Sequence, residues 1–219
     1  MSDPWTIDEV DVDGAIREAA DKVDPHTRAS FLKKAGIGVG VVTGGSALMG
    51  LAPGIAMAGP PASDVAILNF ALTLEYLEAA FYAGARSNAS AFTGDTRNFV
   101  DVVATHEATH VAFLKKALGS AAVKSPKFDF KGTNQEQAKF QATSQLLEDT
   151  GVSAYAGQGP LLKTKAIVAA ALSIHSVEAR HAAWMRHIRQ VAPAPFAFDP
   201  AKTKAQILAA VKGTGFIVG

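Results

Sequence analysis

One short pattern occurs twice in this chain, and it limits what the chain can fold into more than any other feature. Glu75 precedes Tyr82 by seven residues and is followed by Glu107-Ala108-Thr109-His110; Glu148 precedes Tyr155 by seven and is followed by Glu178-Ala179-Arg180-His181. Four Glu and two His therefore stand in twofold-related order. On a helix, positions i and i+3 share a face, so each Glu-x-x-His points a carboxylate and an imidazole into one space and can chelate a metal. A Glu from each of two helices plus a Glu-x-x-His from each of the other two is the donor set of dinuclear carboxylate sites in four-helix bundles.

The surrounding pattern predicts an all-α fold. Past Pro60-Pro61, apolar residues recur at helical spacing, predicting a first helix over about 64–86 and a second over about 93–118. Thr133-Asn134-Gln135-Glu136 reads as a capping box opening a third helix that ends near Gly157; the fourth follows Pro160 and stops before Pro193. Glu107 lies 32 residues after Glu75, and Glu178 lies 30 after Glu148, which centres the two hairpin turns near residues 91 and 163. Residues 119–133 are long enough to cross the whole bundle, leaving the second and third helices parallel. A proline-rich linker over 193–200, a short amphipathic helix near 202–212 and the apolar end Phe216-Ile217-Val218 are expected to pack on the bundle or on another subunit.

Within the first helix, every residue from Val65 to Tyr82 except Asn69, Thr73, Glu75 and Glu78 is apolar or aromatic. Such a helix is buried nearly all round, and a carboxylate buried there without a partner costs several kcal/mol. The repeat selects Glu75 as the ligand. Glu78 is read as an acid behind the ligands, a partner to a cation, or an extra ligand. Asp149 diverges by about 100° from Glu148 on the helix, so only one faces the site, and the repeat selects Glu148. Tyr82 and Tyr155 are candidates to hold the carboxylates by hydrogen bonds, against the alternative of core aromatics bonded elsewhere. His175 is read as a satisfied buried histidine, His187 as a surface residue, and His26 falls in the leader. His106-Glu107-Ala108-Thr109-His110 also spells the zinc-protease pattern His-Glu-x-x-His. The second half has Val177 where that first histidine would stand, so His106 is read as incidental or as lying behind the ligands.

The 21 basic and 20 acidic residues argue against nucleic acid as a main partner, and the absence of cysteine excludes disulfides, iron–sulfur clusters and thiolate sites. Residues 1–58 read as a leader and export signal. Residues 35–58 carry no charge, follow Lys33-Lys34 and end in Ala56-Met57-Ala58, a small-x-small cleavage pattern. Upstream, Thr27-Arg28-Ala29-Ser30-Phe31-Leu32-Lys33 looks like a twin-arginine signal with Ala29 in place of the second arginine. Export outside the cytoplasm competes with a retained anchor, since 24 uncharged residues can span a bilayer. A membrane enters only in that second case. Residues 59–219 form the predicted bundle.

The stretch Leu68-Asn69-Phe70-Ala71-Leu72-Thr73-Leu74-Glu75-Tyr76-Leu77-Glu78-Ala79-Ala80-Phe81-Tyr82, with Leu147-Glu148-Asp149-Thr150-Gly151-Val152 before Ala154-Tyr155, resembles the ferritin-like superfamily, and within it the bacterial and plant group that includes desiccation-related proteins. The resemblance covers roughly Ser63 to Val218. It implies a ferritin-like four-helix bundle with a long crossover between the second and third helices. It also implies two iron or two manganese ions held by Glu75, Glu107, His110, Glu148, Glu178 and His181. Iron oxidation, peroxide reduction or peroxide dismutation, in oxidative or desiccation stress, is the activity it implies.

Three classes of function stay open on sequence: a dinuclear oxidoreductase acting on peroxide or dioxygen, an iron-binding or storage protein, and a noncatalytic stress protein with a structural metal. Residues 59–219 hold only 12 Asp and Glu, too few beyond the core for convincing mineral nucleation, which makes storage the weaker reading. Whether the chain forms a homo-oligomer is open as well.

Overall fold

The computed structural model describes residues 60–218, so the leader and the export signal or anchor read over 1–58 lie outside the described residues. Five α-helices make up the described part: α1 (Ala62–Ser87), α2 (Gly94–Leu118), α3 (Gln137–Gln158), α4 (Lys165–Ile188) and α5 (Lys204–Thr214). Single 3-10 turns at Ala89–Ala91 and Gly159–Leu161 close the two hairpins, centred within three residues of the expected positions.

Helix directions follow from side-chain pairs between helices. Asn69 reaches the Ala121 carbonyl just past α2, while Arg86, at the other end of α1, reaches Thr105, so α1 and α2 are antiparallel. Arg186 binds Asp149 and Arg189 binds Gln145, making α3 and α4 antiparallel. Tyr82 pairs with Glu148 and Tyr155 with Glu75, which sets α1 antiparallel to α3. Hence α2 and α3 run parallel, and residues 119–136 cross the length of the bundle between them. Asp149 faces its arginine and not the interior, as its angle to Glu148 requires.

Two apolar clusters cap the ends of the interior. One is aromatic, built from Phe81, Tyr82, Phe99 and Phe140, with Phe81 and Phe140 stacked 5.3 Å apart. The other is mainly aliphatic: Leu68, Leu72, Leu114, Leu118 and Ile167. The tail completes the aromatic end. Ile207, Val211 and Phe216 are buried against it, and an antiparallel bridge joins Phe128 of the crossover to Ile217. The C-terminal segment therefore packs on its own bundle. Within the linker before it, Phe196 and Phe198 are exposed.

The capping box expected at Thr133 does not form. Lys131 and Gly132 both take positive φ, 52° and 74°, and turn the chain back so that Thr133 bonds the Phe130 carbonyl through both its N–H (2.9 Å) and its hydroxyl (2.7 Å). The helix then starts only after Glu136, which gives no side-chain cap. Asn134 is drawn inward to donate to the Phe81 carbonyl, an approach that needs Gly84, where a Cβ would sit 2.3 Å from the Asn134 amide nitrogen. A capping box does form at Thr203 with Gln206, opening α5.

Asp64, in the first turn of α1, is fully buried and accepts the backbone N–H groups of Lys163 (3.0 Å) and Thr164 (2.9 Å) at the start of α4. It thereby ties the entry of the first hairpin to the turn of the second. Burial alone would raise its pKa, but the Lys163 and Thr164 donors outweigh burial and hold the carboxyl below its ordinary value. Asp64→Ala removes two charge-assisted bonds and is expected to cost roughly 2–4 kcal/mol of stability at neutral pH. A group with a depressed folded pKa stabilises above its unfolded pKa and stops doing so as pH falls through the folded one. Thermal melts should therefore show the gap between wild type and variant closing below about pH 4.

Candidate metal centre

Each of the four bundle helices contributes to one polar layer between the two apolar clusters. Glu75 and Glu78 come from α1, Glu107 and His110 from α2, Glu148 from α3, and Glu178 and His181 from α4, and all seven are buried. The i, i+3 spacing places each histidine beside its own glutamate, as the sequence predicts.

The two imidazoles divide the layer. His110 Nδ1 lies 3.3 Å from Glu75 Oε2, 3.3 Å from Glu107 Oε2 and 3.1 Å from Glu178 Oε1. His181 Nδ1 lies 3.2 Å from Glu107 Oε1, 3.2 Å from Glu148 Oε2 and 4.0 Å from Glu178 Oε2. Glu107 and Glu178 thus turn one oxygen to each histidine. Two overlapping donor groups result, Glu75/Glu107/His110/Glu178 and Glu107/Glu148/Glu178/His181, each with one donor atom per residue within 4.8 Å of the others. Neither Glu-x-x-His serves one position alone, because the glutamate of each is shared by both donor groups. All six residues that sequence reasoning singled out by the repeat are brought together.

The residues fit bound metal cations. Glu75 Oε2, Glu107 Oε1, Glu148 Oε2, both carboxylate oxygens of Glu178 and His181 Nδ1 are buried with no hydrogen-bond partner. Buried polar atoms are nearly always paired, and several orphans facing one space mark a place where positive charge belongs. Hard carboxylate oxygens with two imidazoles and no sulfur suit a first-row divalent metal.

The tyrosines resolve in favour of carboxylate holding, in a crossed arrangement. Tyr82 on α1 donates to Glu148 on α3, and Tyr155 on α3 donates to Glu75 on α1. Seven residues span two helical turns, about 10 Å, so neither phenol can reach the glutamate of its own helix. The antiparallel partner brings the other glutamate level with it. Burial and the adjacent carboxylates push both phenols well above the ordinary tyrosine range, which keeps the protons available for donation. Ser144, one turn before Glu148, lies 2.8 Å from the Tyr82 hydroxyl. Sequence reasoning missed it, although its i−4 relation to Glu148 is a readable signal.

Glu78 is buried beside the layer but belongs to neither donor group, and among the described residues no cation pairs with it. It approaches the site from the side of α3, where a Cβ on Gly151 would stand 3.3 Å from both Glu78 Oε1 and Glu178 Oε2. A mid-helix glycine costs about 1 kcal/mol against alanine, and here it leaves room for two carboxylates. His106 lies behind the ligands: its Nδ1 is 2.8 Å from His181 Nε2. It belongs to neither donor group, unlike a zinc-protease ligand. His175 is not satisfied as expected, since its buried Nε2 has no partner. His187 is exposed.

Charge explains the titration of the cluster. Burial, with the nearby carboxylates, pushes Glu78 and Glu178 well above the usual carboxylate range, and burial lifts Glu75 to about 7 against the pull of His110. Burial would raise Glu107 too, but the adjacent imidazoles of His110 and His181 draw it down to about 2. The same burial would lower the imidazoles; Glu75 beside His110 and Glu148 beside His181 outweigh it, holding His110 far above the histidine range and lifting His181 to about 10. His106 shifts the other way, lowered by burial and by the two neighbouring imidazoles.

Residues 63–191 match the model of the ferritin-like domain family. No curated protein matches the chain.

Without cations the layer holds protons on His110 and His181 at neutral pH, so a metal must displace them. Titration of Mn2+ at pH 7 in buffers of different ionisation enthalpy should show release of at least one proton per ion, with affinity rising as pH rises. Binding with no proton release would contradict this account of the site.

Proposed function

We propose that this chain, which belongs to the ferritin-like domain family, binds two iron or two manganese ions and reacts with peroxide or dioxygen, serving protection against oxidative or desiccation stress. The observation that carries the reading is the sharing of Glu107 and Glu178 between two donor groups, each completed by its own glutamate and histidine.

In this reading Glu75 and His110 would hold one ion and Glu148 and His181 the other, with Glu107 and Glu178 able to offer one oxygen to each. A carboxylate-bridged pair of redox-active metals can exchange two electrons with a small oxidant. The protein's part is positioning and exclusion of water. Tyr82 and Tyr155 fix the free rotation of Glu148 and Glu75, so the terminal carboxylates present fixed oxygens to their ions. The aromatic and aliphatic clusters close the layer at both ends. A small pocket lined by Leu68, Ala71, Leu74, Tyr155, Leu162 and Ala171 reaches the flank of Tyr155, and its apolar walls favour a small uncharged molecule over an anionic substrate.

A structural metal site predicts different behaviour from a reactive one. Two-electron chemistry needs both ions, so His110→Ala and His181→Ala should each abolish peroxide turnover while the helical circular dichroism signal stays near that of wild type. Metal analysis of protein from its own host, paired with a peroxide assay, tests the reading directly. Protein loaded with iron or manganese that reacts with neither peroxide nor dioxygen would overturn the enzymatic reading and leave the structural one.

A further inference from the structure

The twofold pattern breaks at one position beside the ligands. His106 precedes Glu107, and the corresponding residue before Glu178 is Val177. His106 Nδ1 lies 2.8 Å from His181 Nε2, and the two ring planes differ by only 18° with centroids 5.1 Å apart. The rings thus meet edge to edge, so an N–H on one points along the lone pair of the other. His181 Nδ1 faces the other way, within 3.2 Å of both Glu107 Oε1 and Glu148 Oε2, yet it hydrogen-bonds neither. Its lone-pair direction falls between the carboxylates, where a cation would sit. Among the described residues, His110 has no such partner behind its ring: its hydrogen bond is the one to Glu107.

We propose that His106 is a positioning residue that makes the two metal positions unequal. By accepting the Nε2–H of His181 it fixes the tautomer and the ring, directs the Nδ1 lone pair at the position bounded by Glu107, Glu148 and His181, and gives that position the tighter hold. The position bounded by Glu75 and His110 lacks this support. A partner on the far nitrogen of a metal-binding histidine is worth 10–100-fold in metal affinity when removed. The inference rests on the dinuclear reading above.

Calorimetric titration with Mn2+ alone tests it on the full chain. Wild type should bind two ions with unequal affinity. His106→Val, which installs the residue of the other half, should weaken the tighter ion by about 10–100-fold and leave the weaker one unchanged. His106→Asn places an amide oxygen near the position of Nδ1 and should restore most of the lost affinity, a rescue that loss of packing would not produce. In a His181→Ala background, His106→Val should have no further effect. Weakening of both ions alike, of neither, or of the weaker one alone overturns the positioning role while the dinuclear reading stands. Wild type that binds no Mn2+, or one ion only, overturns the dinuclear reading and this inference with it. Should His106→Val fail to fold, His106→Ala takes its place with the same outcomes: selective weakening of the tighter ion supports the role, and any other pattern refutes it.

Discussion

Five carboxylates buried in one layer dominate this structure. Placing an unpaired charge in a protein interior costs several kcal/mol even after relaxation, and Glu75, Glu78, Glu107, Glu148 and Glu178 are all nearly inaccessible to water. Two imidazoles and two phenols offset part of that cost, and the remaining orphaned oxygens call for cations. Much else is arranged around this demand. Gly151 keeps α3 thin where carboxylates press on it, Ser144 steadies the phenol that holds Glu148, and apolar clusters above and below keep the dielectric low. Those clusters also make every interaction in the layer stronger than it would be in water.

Much of the fold and of the donor set was legible in the sequence, because both depend on helical periodicity. A repeated i, i+3 pair and a constant offset to an upstream glutamate survive translation into three dimensions without adjustment. What periodicity could not carry was anything that depends on the partner helix or on a turn. The Glu-x6-Tyr spacing marked both phenols as candidates to hold carboxylates but did not say which glutamate each serves, and each serves the one on the opposite helix. The box at Thr133 failed because positive φ at Lys131 and Gly132 gave its donors to Phe130 first, a matter of loop geometry that a four-residue pattern does not encode. Asp64 was unreadable for a related reason: its partners are backbone groups of Lys163 and Thr164, about 100 residues away, which present the same chemistry in any sequence.

The pseudo-twofold order sets a baseline against which departures become informative. In a symmetric site both ions would sit in equal surroundings. His106 opposite Val177 and Glu78 without a counterpart in the cluster from α3 both fall on the first hairpin, so the asymmetry enters through one half of the chain. Unequal surroundings would separate the affinities of any two ions held there.

The crossed phenol bonds carry a consequence for how the chain matures. They join residues 66 and 80 positions apart, and each hairpin by itself contains a glutamate whose tyrosine lies in the other. The first hairpin leaves the ribosome with Glu75 loose and half of the donors still unmade. Only the docking of both hairpins brings the set together, so a fragment or a half-folded chain has no complete nest for a cation. Any capture of metal would thereby wait for molecules whose two halves have already found each other.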